Sequence, residues 1–121
     1  MAEIQWAILA DIPGFSPVSG ITMQLLAGDQ MAMNLVTLAP HAEVPHHSHP
    51  NEQIGYVLSG TLILTIAGET HHVSAGMGYV VPGDVPHSGT TDANGCQVLD
   101  MFAPPRADYV EQQRQAIKSA G

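Results

Sequence analysis

Basic side chains are scarce in this sequence, and the few that it has fall at its C-terminal end. Arg106, Arg114 and Lys118 are the only Lys or Arg residues among 121, whereas eleven residues are Asp or Glu, so the formal net charge is −8 at pH 7. A surface that binds nucleic acid or anionic lipid needs clustered Lys and Arg to neutralise phosphates. The sequence therefore argues against nucleic acid and membranes as partners.

Cysteine and long apolar runs are scarce as well. Cys96 is the single cysteine, so no internal disulfide forms, as is usual in a reducing compartment. No apolar run approaches the ~20 residues of a membrane-spanning helix, and Glu3 stands where a signal peptide has basic residues. We therefore expect a cytoplasmic protein. Its 45% hydrophobic content is too high for an intrinsically disordered chain.

Glycine and proline, by contrast, are frequent and divide the chain into strand-sized segments. There are 12 Gly and 9 Pro residues, and many short strands with frequent turns are typical of an all-β barrel or sandwich. Hairpin turns are predicted at Ser59-Gly60 and Gly68-Glu69, where glycine supplies a positive φ. The predicted strands cover residues 21–26, 31–39, 53–58, 61–67, 70–73, 79–81 and 96–102.

One short helix is predicted after the strands, at roughly residues 108–118. Asp108 and Glu111 have the spacing of a capping box. Arg114 and Lys118 fall near the other end of this helix, where its dipole favours cations. No repeat or linker interrupts the chain, so residues 1–121 are predicted to form a single domain with a barrel at roughly 20–103.

Histidine is unusually frequent, and four of the seven histidines lie in the segment PHAEVPHHSHPNEQ. On an extended strand His47 and His49 point to the same face with Cα atoms about 6.6 Å apart. Two imidazoles at that separation can bind one metal ion. Another histidine, His87, follows the proline-bounded turn in VVPGDVPHSG. The remaining histidines are interpreted as surface residues: His41, His46, His71 and His72.

These segments resemble the two sequence motifs of the cupin family. Residues 47–60 match a His-x-His motif that continues to a carboxylate and a turn glycine, and residues 76–87 match Gly-x5-Pro-x-Gly-x2-His, except that Asp84 replaces a glycine. The resemblance implies an all-β jelly-roll barrel with a short C-terminal helix and one divalent transition metal inside. The implied metal ligands are His47, His49, Gln53 and His87.

Gln53 stands where the family has a carboxylate, and the adjacent Glu52 remains an alternative ligand. A site of three histidines and one glutamine is neutral, so a divalent ion keeps its full charge. Such an ion is a stronger Lewis acid and a better binder of anionic chelating substrates. Nitrogen and amide-oxygen ligands accept Ni, Zn, Fe, Mn or Co, so the metal is not identified by the sequence.

The segment QVLDMFAPPRADY adds a second group of candidate residues. Strand alternation places Asp100 and Phe102 on one face, and an aspartate inside a barrel is costly unless it is paired, hydrated or functional. Arg106 follows the rigid Pro104-Pro105 step and is expected to fold back toward Asp100. Two interpretations stay open, a substrate site or an Asp100–Arg106 salt bridge.

With the histidine motifs, this ending resembles the metal-dependent cupins that open 4,5-unsaturated monouronates from pectin and alginate to linear 5-keto-4-deoxyuronate. The resemblance implies a small anionic sugar acid as substrate, Asp100 and Arg106 as catalytic residues, and Phe102 and Arg106 as substrate-binding residues. The alternatives are a cupin dioxygenase or lyase acting on another small substrate, and a non-catalytic metal- or ligand-binding cupin. A homodimer is also predicted, because so small a barrel exposes edge strands.

Overall fold

The computed structural model describes residues 3–121, and most of them lie in eight antiparallel strands. One helix, α1, follows the strands, and a short 3₁₀ turn at Leu9–Asp11 precedes them. The all-β class with one C-terminal helix is confirmed. The elements are β1 Phe15–Val18, β2 Ile21–Ala27, β3 Ala32–Leu38, β4 Glu43–His47, β5 Glu52–Ile66, β6 Glu69–Ser74, β7 Gly78–Val81, β8 His87–Ala103 and α1 Ala107–Ala120.

Two long strands, β5 and β8, pair along most of their length and organise the sheet. The first half of β5 pairs with β7 and the second half with β6. Likewise, β4 pairs with the start of β8, whereas β3 pairs with its end. The sheet continues from β3 to β2 and β1. Each long strand therefore contributes to two faces that enclose the core between them.

The bend between these faces lies where two glycines meet. Gly60 in β5 and Gly95 in β8 both have positive φ, 75° and 67°, and the register of the two strands shifts beside Gly60. A β-carbon on Gly60 would lie 2.8 Å from Cys96 Cα. The hairpin predicted at Ser59-Gly60 is therefore wrong, because the glycine forms a bulge within one strand.

The other turn and the helix also differ in detail from the prediction. The β5–β6 hairpin turns at Ala67 and Gly68, both with positive φ, one residue earlier than predicted. Helix α1 begins at Ala107 and has no side-chain cap, so the predicted capping box is wrong. Its first member, Asp108, lies in the first turn and accepts a hydrogen bond from Arg106 instead. Among the described residues no helix is both long and apolar enough to cross a membrane.

One of these faces consists of β2, β3, the end of β8, the start of β5 and β7. Its inward-pointing side chains form rows that run across the strands. One row is apolar and belongs to the core, the next contains Asp100, and the third contains Gln53 and Phe102. The first row consists of Met23, Val36, Val98 and Val57. The second consists of Leu25, Asn34, Asp100, Gly55 and Tyr79. The third consists of Ala32, Phe102, Gln53 and Val81. The polar side chains therefore occupy one end of the barrel, beside a packed core.

Candidate metal site and adjoining cavity

Three of the predicted ligands, His47, His49 and His87, lie together at this polar end. His47 ends β4 and is paired with His87, which begins β8. His49 lies in the loop after β4 rather than on the strand, so the predicted shared strand is wrong for this residue. The three side chains nevertheless converge, and one ring nitrogen from each lies within 4.8 Å of the others. These three histidines could therefore hold a metal ion.

Backbone carbonyls fix the orientation of all three imidazole rings. The Nδ1 atoms of His47, His49 and His87 lie 2.7, 3.0 and 2.9 Å from the carbonyl oxygens of Pro45, Asn51 and Val85. A carbonyl only accepts, so each Nδ1 must carry the proton, and in a neutral ring Nε2 is then a lone-pair donor. Burial lowers the pKa of His49 and of His87, which favours neutral rings at pH 7.

The environment of the Nε2 atoms fits a cation between the side chains. His87 Nε2 is buried and has no hydrogen-bond partner among the described residues. His49 Nε2 lies 3.2 Å from Gln53 Oε1, so two acceptor atoms face each other. Two ligands about 2.1 Å from one ion lie about 3.0–3.4 Å apart, depending on geometry. A metal ion between these atoms would therefore satisfy both.

Gln53 and Glu52 point to opposite sides of β5. Gln53 is buried and faces the histidines, whereas Glu52 is exposed on the outer face. Alternation along β5 accounts for the difference, because successive side chains point to opposite faces of a strand. Of the two alternatives, only Gln53 lies beside the histidines.

A cavity of about 80 Å³ opens beside the histidines, which is room for several water molecules or part of a small ligand. Its lining combines polar and aromatic side chains at one end with aliphatic walls from the core. The polar and aromatic lining consists of His47, Gln53, Tyr79, His87, Ser88, Asp100, Phe102, Arg106 and Tyr109. The cavity therefore brings together three of the four predicted metal ligands and all the predicted substrate residues.

Asp100 is a buried acid in this lining, with only 9% of its surface exposed. Burial raises the pKa of the Asp100 carboxyl to about 6, although hydrogen bonding from Tyr79 and Gln53 opposes the rise. Tyr79 Oη donates to Asp100 Oδ1 at 2.6 Å. The carboxyl is thus ionised above pH 6 and is more basic than an exposed aspartate, which suits proton transfer near neutral pH.

Arg106 reaches the cavity but does not pair with Asp100. Its Nη1 donates to Tyr109 Oη at 2.8 Å, its Nη2 donates to Asp108 Oδ2 at 2.9 Å, and its guanidinium lies over the Tyr109 ring. Among residues 3–121 there is no Asp100–Arg106 ion pair, so the salt-bridge interpretation is wrong. Because Arg106 is bonded to Tyr109 and Asp108, the Asp100 carboxylate has no paired cation among these residues.

Phe102 lies between the histidines and the helix. It is only 3% exposed, and its ring stands edge-on to His49 and to Tyr109 at centroid distances of 5.6 and 6.1 Å. The ring therefore separates the histidine cluster from α1 and forms an apolar wall of the cavity.

Three further residues at this site were not identified from the sequence. Tyr79 and Tyr109 line the cavity, and Asn34 is fully buried in the position across from Asp100, with an amide that has no hydrogen-bond partner among the described residues. Tyr79 lies two residues before the buried Val81 in a predicted strand, so alternation could have placed its side chain on the inner face. Asn34 alternates in the same way with the buried Ala32 and Val36. Tyr109 carries no such signal, because its proximity to the site depends on how the helix packs against the sheet.

Comparison with known proteins identifies relatives of several kinds. Residues 34–102 match the family described as "Cupin domain". The transcriptional regulator PuuR of Escherichia coli is 32% identical over 91 residues, which are 70% of this chain and 49% of PuuR. The pectin degradation protein KdgF of Dickeya dadantii is 28% identical over 110 residues, covering 89% of this chain and 93% of KdgF.

The fold has equally clear counterparts among solved structures. The structure of KdgF from Halomonas sp. superposes with a TM-score of 0.82 at 24% identity, covering 88% of this chain and 99% of that chain. At this identity the likeness concerns the fold. This chain spans about half the length of PuuR but nearly the whole of the Dickeya KdgF, and the relatives thus include both a regulator and a pectin degradation protein.

Proposed function

Since this chain belongs to the cupin family, we propose that its cavity is the active site of a metal-dependent enzyme that opens 4,5-unsaturated monouronates, derived from pectin or alginate, to linear 5-keto-4-deoxyuronates. The observation that carries the proposal is a buried acid, Asp100, that has no paired cation among the described residues and shares one cavity with the proposed ligands His47, Gln53 and His87. The similarity to KdgF along almost its entire length supports a role in the breakdown of pectin-type sugars.

The proposed metal ligands are His47, His49, Gln53 and His87, with one divalent transition metal. When bound there, the metal would supply a Lewis acid that stabilises negative charge on the substrate's ring oxygen. The protein contributes a preformed set of neutral ligands, since the backbone carbonyls already orient the three rings. A neutral ligand set leaves the charge of the ion available to an anionic substrate.

Asp100 is the proposed base. The substrate is a cyclic hemiacetal whose ring oxygen O5 is bonded to the C4–C5 double bond. Asp100 takes the proton of the C1 hydroxyl, the C1–O5 bond breaks as the C1 carbonyl forms, and the electron pair passes to O5 as an enolate. Return of the proton to C4 gives the 5-keto product. The reaction is an isomerisation, so it consumes neither water nor an oxidant.

Arg106 and Phe102 are the proposed binding residues. The guanidinium of Arg106 is held by Tyr109 and Asp108, and its planar fork matches a carboxylate or two neighbouring hydroxyls. Phe102 provides the apolar wall beside the histidines. A sugar acid bound between them would have its carboxylate near positive charge and its ring against an aromatic face.

The proposed function is tested by incubating the metal-loaded protein with 4,5-unsaturated galacturonate. We expect the ultraviolet absorbance of the double bond to disappear much faster than in buffer, and proton NMR to show loss of the vinyl proton at C4 and appearance of a C4 methylene. A rate equal to the uncatalysed rate, with metal bound, would favour a non-catalytic binding protein. Stoichiometric oxygen uptake would favour a dioxygenase.

We also propose that the protein is a homodimer that uses the outer surface of strands β3, β8, β5 and β7. Met33, Met101, Ile54 and Val80 follow one another across β3, β8, β5 and β7, and Ile54 and Val80 are 45% and 53% exposed. Contiguous apolar surface of this kind usually marks an interface in soluble proteins. A second copy is the partner that carries a matching face, as a twofold interface requires.

Ile54→Lys is expected to dissociate this dimer. A lysine at the centre of an apolar interface leaves a charge without a partner, whereas in the monomer its side chain reaches solvent. We expect sedimentation equilibrium at micromolar concentration to give the mass of two 12.8 kDa chains for the wild type and of one chain for the variant. His72→Lys, at an exposed position of β6, is the matched control. A single-chain mass for the wild-type protein would refute the proposal.

A further inference from the structure

We infer that Tyr79 is a positioning residue that holds the Asp100 carboxylate in the orientation required for proton transfer. The inference rests on the proposed function, since it concerns the base of that reaction. Tyr79 Oη lies 2.6 Å from Asp100 Oδ1, which is the distance typical of a strong hydrogen bond from a hydroxyl to a charged carboxylate. Both side chains line the cavity.

The direction of this hydrogen bond follows from chemistry. An ionised carboxylate only accepts hydrogen bonds, so the phenol must donate. The Tyr79 ring is attached to a strand, β7, that lies on the opposite side of β5 from Asp100. The phenol therefore fixes one carboxylate oxygen from across an intervening strand, which restricts rotation of the carboxylate about its terminal bond.

Gly55 provides the space for this contact. It lies in β5 directly between the two residues, paired with Asp100 on one side and with Tyr79 on the other. A β-carbon at this position would overlap the Tyr79 ring and lie 2.6 Å from Asp100 Oδ1. Its φ is not in the left-handed region, so the backbone conformation does not require glycine here, although glycine weakens a strand. The missing side chain is what allows Tyr79 to reach Asp100.

Within residues 3–121 no cation is paired with Asp100, so the hydrogen bond from the phenol is important for its orientation. The nearby arginine, Arg106, is bonded to Tyr109 and Asp108. Gln53 also hydrogen-bonds to Asp100 and stabilises its charged form, but Gln53 is at the same time a proposed metal ligand. Tyr79 is thus the one hydrogen-bond donor to Asp100 in the described chain that has no other proposed task.

The test compares Tyr79→Phe with the wild-type enzyme in the uronate assay. Phenylalanine keeps the ring and removes the donor, so we expect kcat to fall about tenfold to a hundredfold, as slight misplacement of a reacting group does. KM should change less than about twofold and metal content should be unaltered, because no proposed ligand or substrate contact is removed. Tyr56→Phe, an exposed tyrosine in β5, is the matched control and should match the wild type.

Two further measurements separate positioning from a merely structural role. Gly55→Ala should lower kcat similarly, and crystal structures of both variants should show the Asp100 carboxylate rotated or displaced. In an Asp100→Asn background, Tyr79→Phe should cause little additional loss of kcat, since the two residues act as a unit. If Tyr79→Phe does not fold, Tyr79→Leu carries the same test, because it also removes the donor, whereas the β-carbon of Gly55→Ala would also press on Asp100 directly.

The outcomes distinguish the inference from the proposed function. A wild-type enzyme that opens the uronate while Tyr79→Phe retains its kcat, with Asp100 unmoved, would overturn the inference and leave the function intact. A lowered melting temperature with unchanged kcat would do the same. A wild-type protein without ring-opening activity would overturn the proposed function and, with it, the role assigned to Tyr79.

Discussion

His49→Ala is expected to abolish metal binding. His49 is buried, its Nδ1 is held by a backbone carbonyl, and its Nε2 faces Gln53 Oε1. Removing the imidazole deletes one of three nitrogen ligands and leaves the glutamine oxygen without its neighbour. Loss of an outer-shell partner alone typically lowers metal affinity 10–100-fold, so we expect a fall of more than about a hundredfold. Elemental analysis of the purified variant should find less than stoichiometric metal.

His71→Ala is the matched control for this experiment. His71 is exposed on β6 and pairs with Glu69 at 2.8 Å, so its removal should leave metal content unchanged. Circular dichroism should show the β-rich spectrum in both variants, which excludes unfolding as the cause of metal loss. Stoichiometric metal in a folded His49→Ala protein would mean that the histidine cluster is not the metal site.

The interior position of Asp100 could be predicted because the second half of β8, from Cys96 to Phe102, follows strict alternation. Cys96, Val98, Asp100 and Phe102 are all buried, and the residues between them are more exposed. A period of two is a local property of an extended chain, so it is readable without knowledge of the fold. Alternation also places Gln53 on the inner face and Glu52 on the outer face, but only once the start of β5 is known.

The turn assignments failed where one local signal has two structural uses. Glycine with positive φ ends a strand in a hairpin, and it also forms a bulge inside a strand. Gly68 does the first and Gly60 the second. The choice at Gly60 depends on β8, because both halves of β5 pair with that one strand. Such long-range pairing is not encoded in a short window of sequence.

The partners of Arg106 and Asp100 were likewise not predictable from spacing. Proximity in sequence suggested that they pair, but the first turn of α1 offers Arg106 nearer partners in Asp108 and Tyr109. Asp100 is bonded instead by Tyr79, whose approach needs the space above Gly55. Three strands must be in register to bring these residues together, and sequence alone does not give that register.

Asp100→Asn is expected to lower the rate of ring opening about 10²–10⁴-fold, the usual cost of removing a general base. The amide keeps the shape of the side chain and still accepts the hydrogen bond from Tyr79, but it cannot take the C1 hydroxyl proton. Loss of ultraviolet absorbance from the unsaturated uronate measures the rate. Metal content should match the wild type, because Asp100 is not among the proposed ligands. A metal-loaded variant with the wild-type rate would remove Asp100 from the mechanism.

The same substitution is expected to stabilise the metal-free protein at neutral pH. Burial raises the pKa of Asp100 from 3.8 to about 6, so between these values the folded chain binds more protons than the unfolded chain, and the free energy of unfolding falls as pH rises. The ionised Asp100 therefore destabilises the folded protein by about 3 kcal/mol above pH 6, and this destabilisation is absent below pH 3.8. Urea denaturation should therefore show Asp100→Asn to be more stable than the wild type at pH 7, with the advantage shrinking toward pH 4. If the variant is equally or less stable at pH 7, the charged carboxylate is a structural element. If the variant is more stable but inactive, Asp100 is retained for its chemistry.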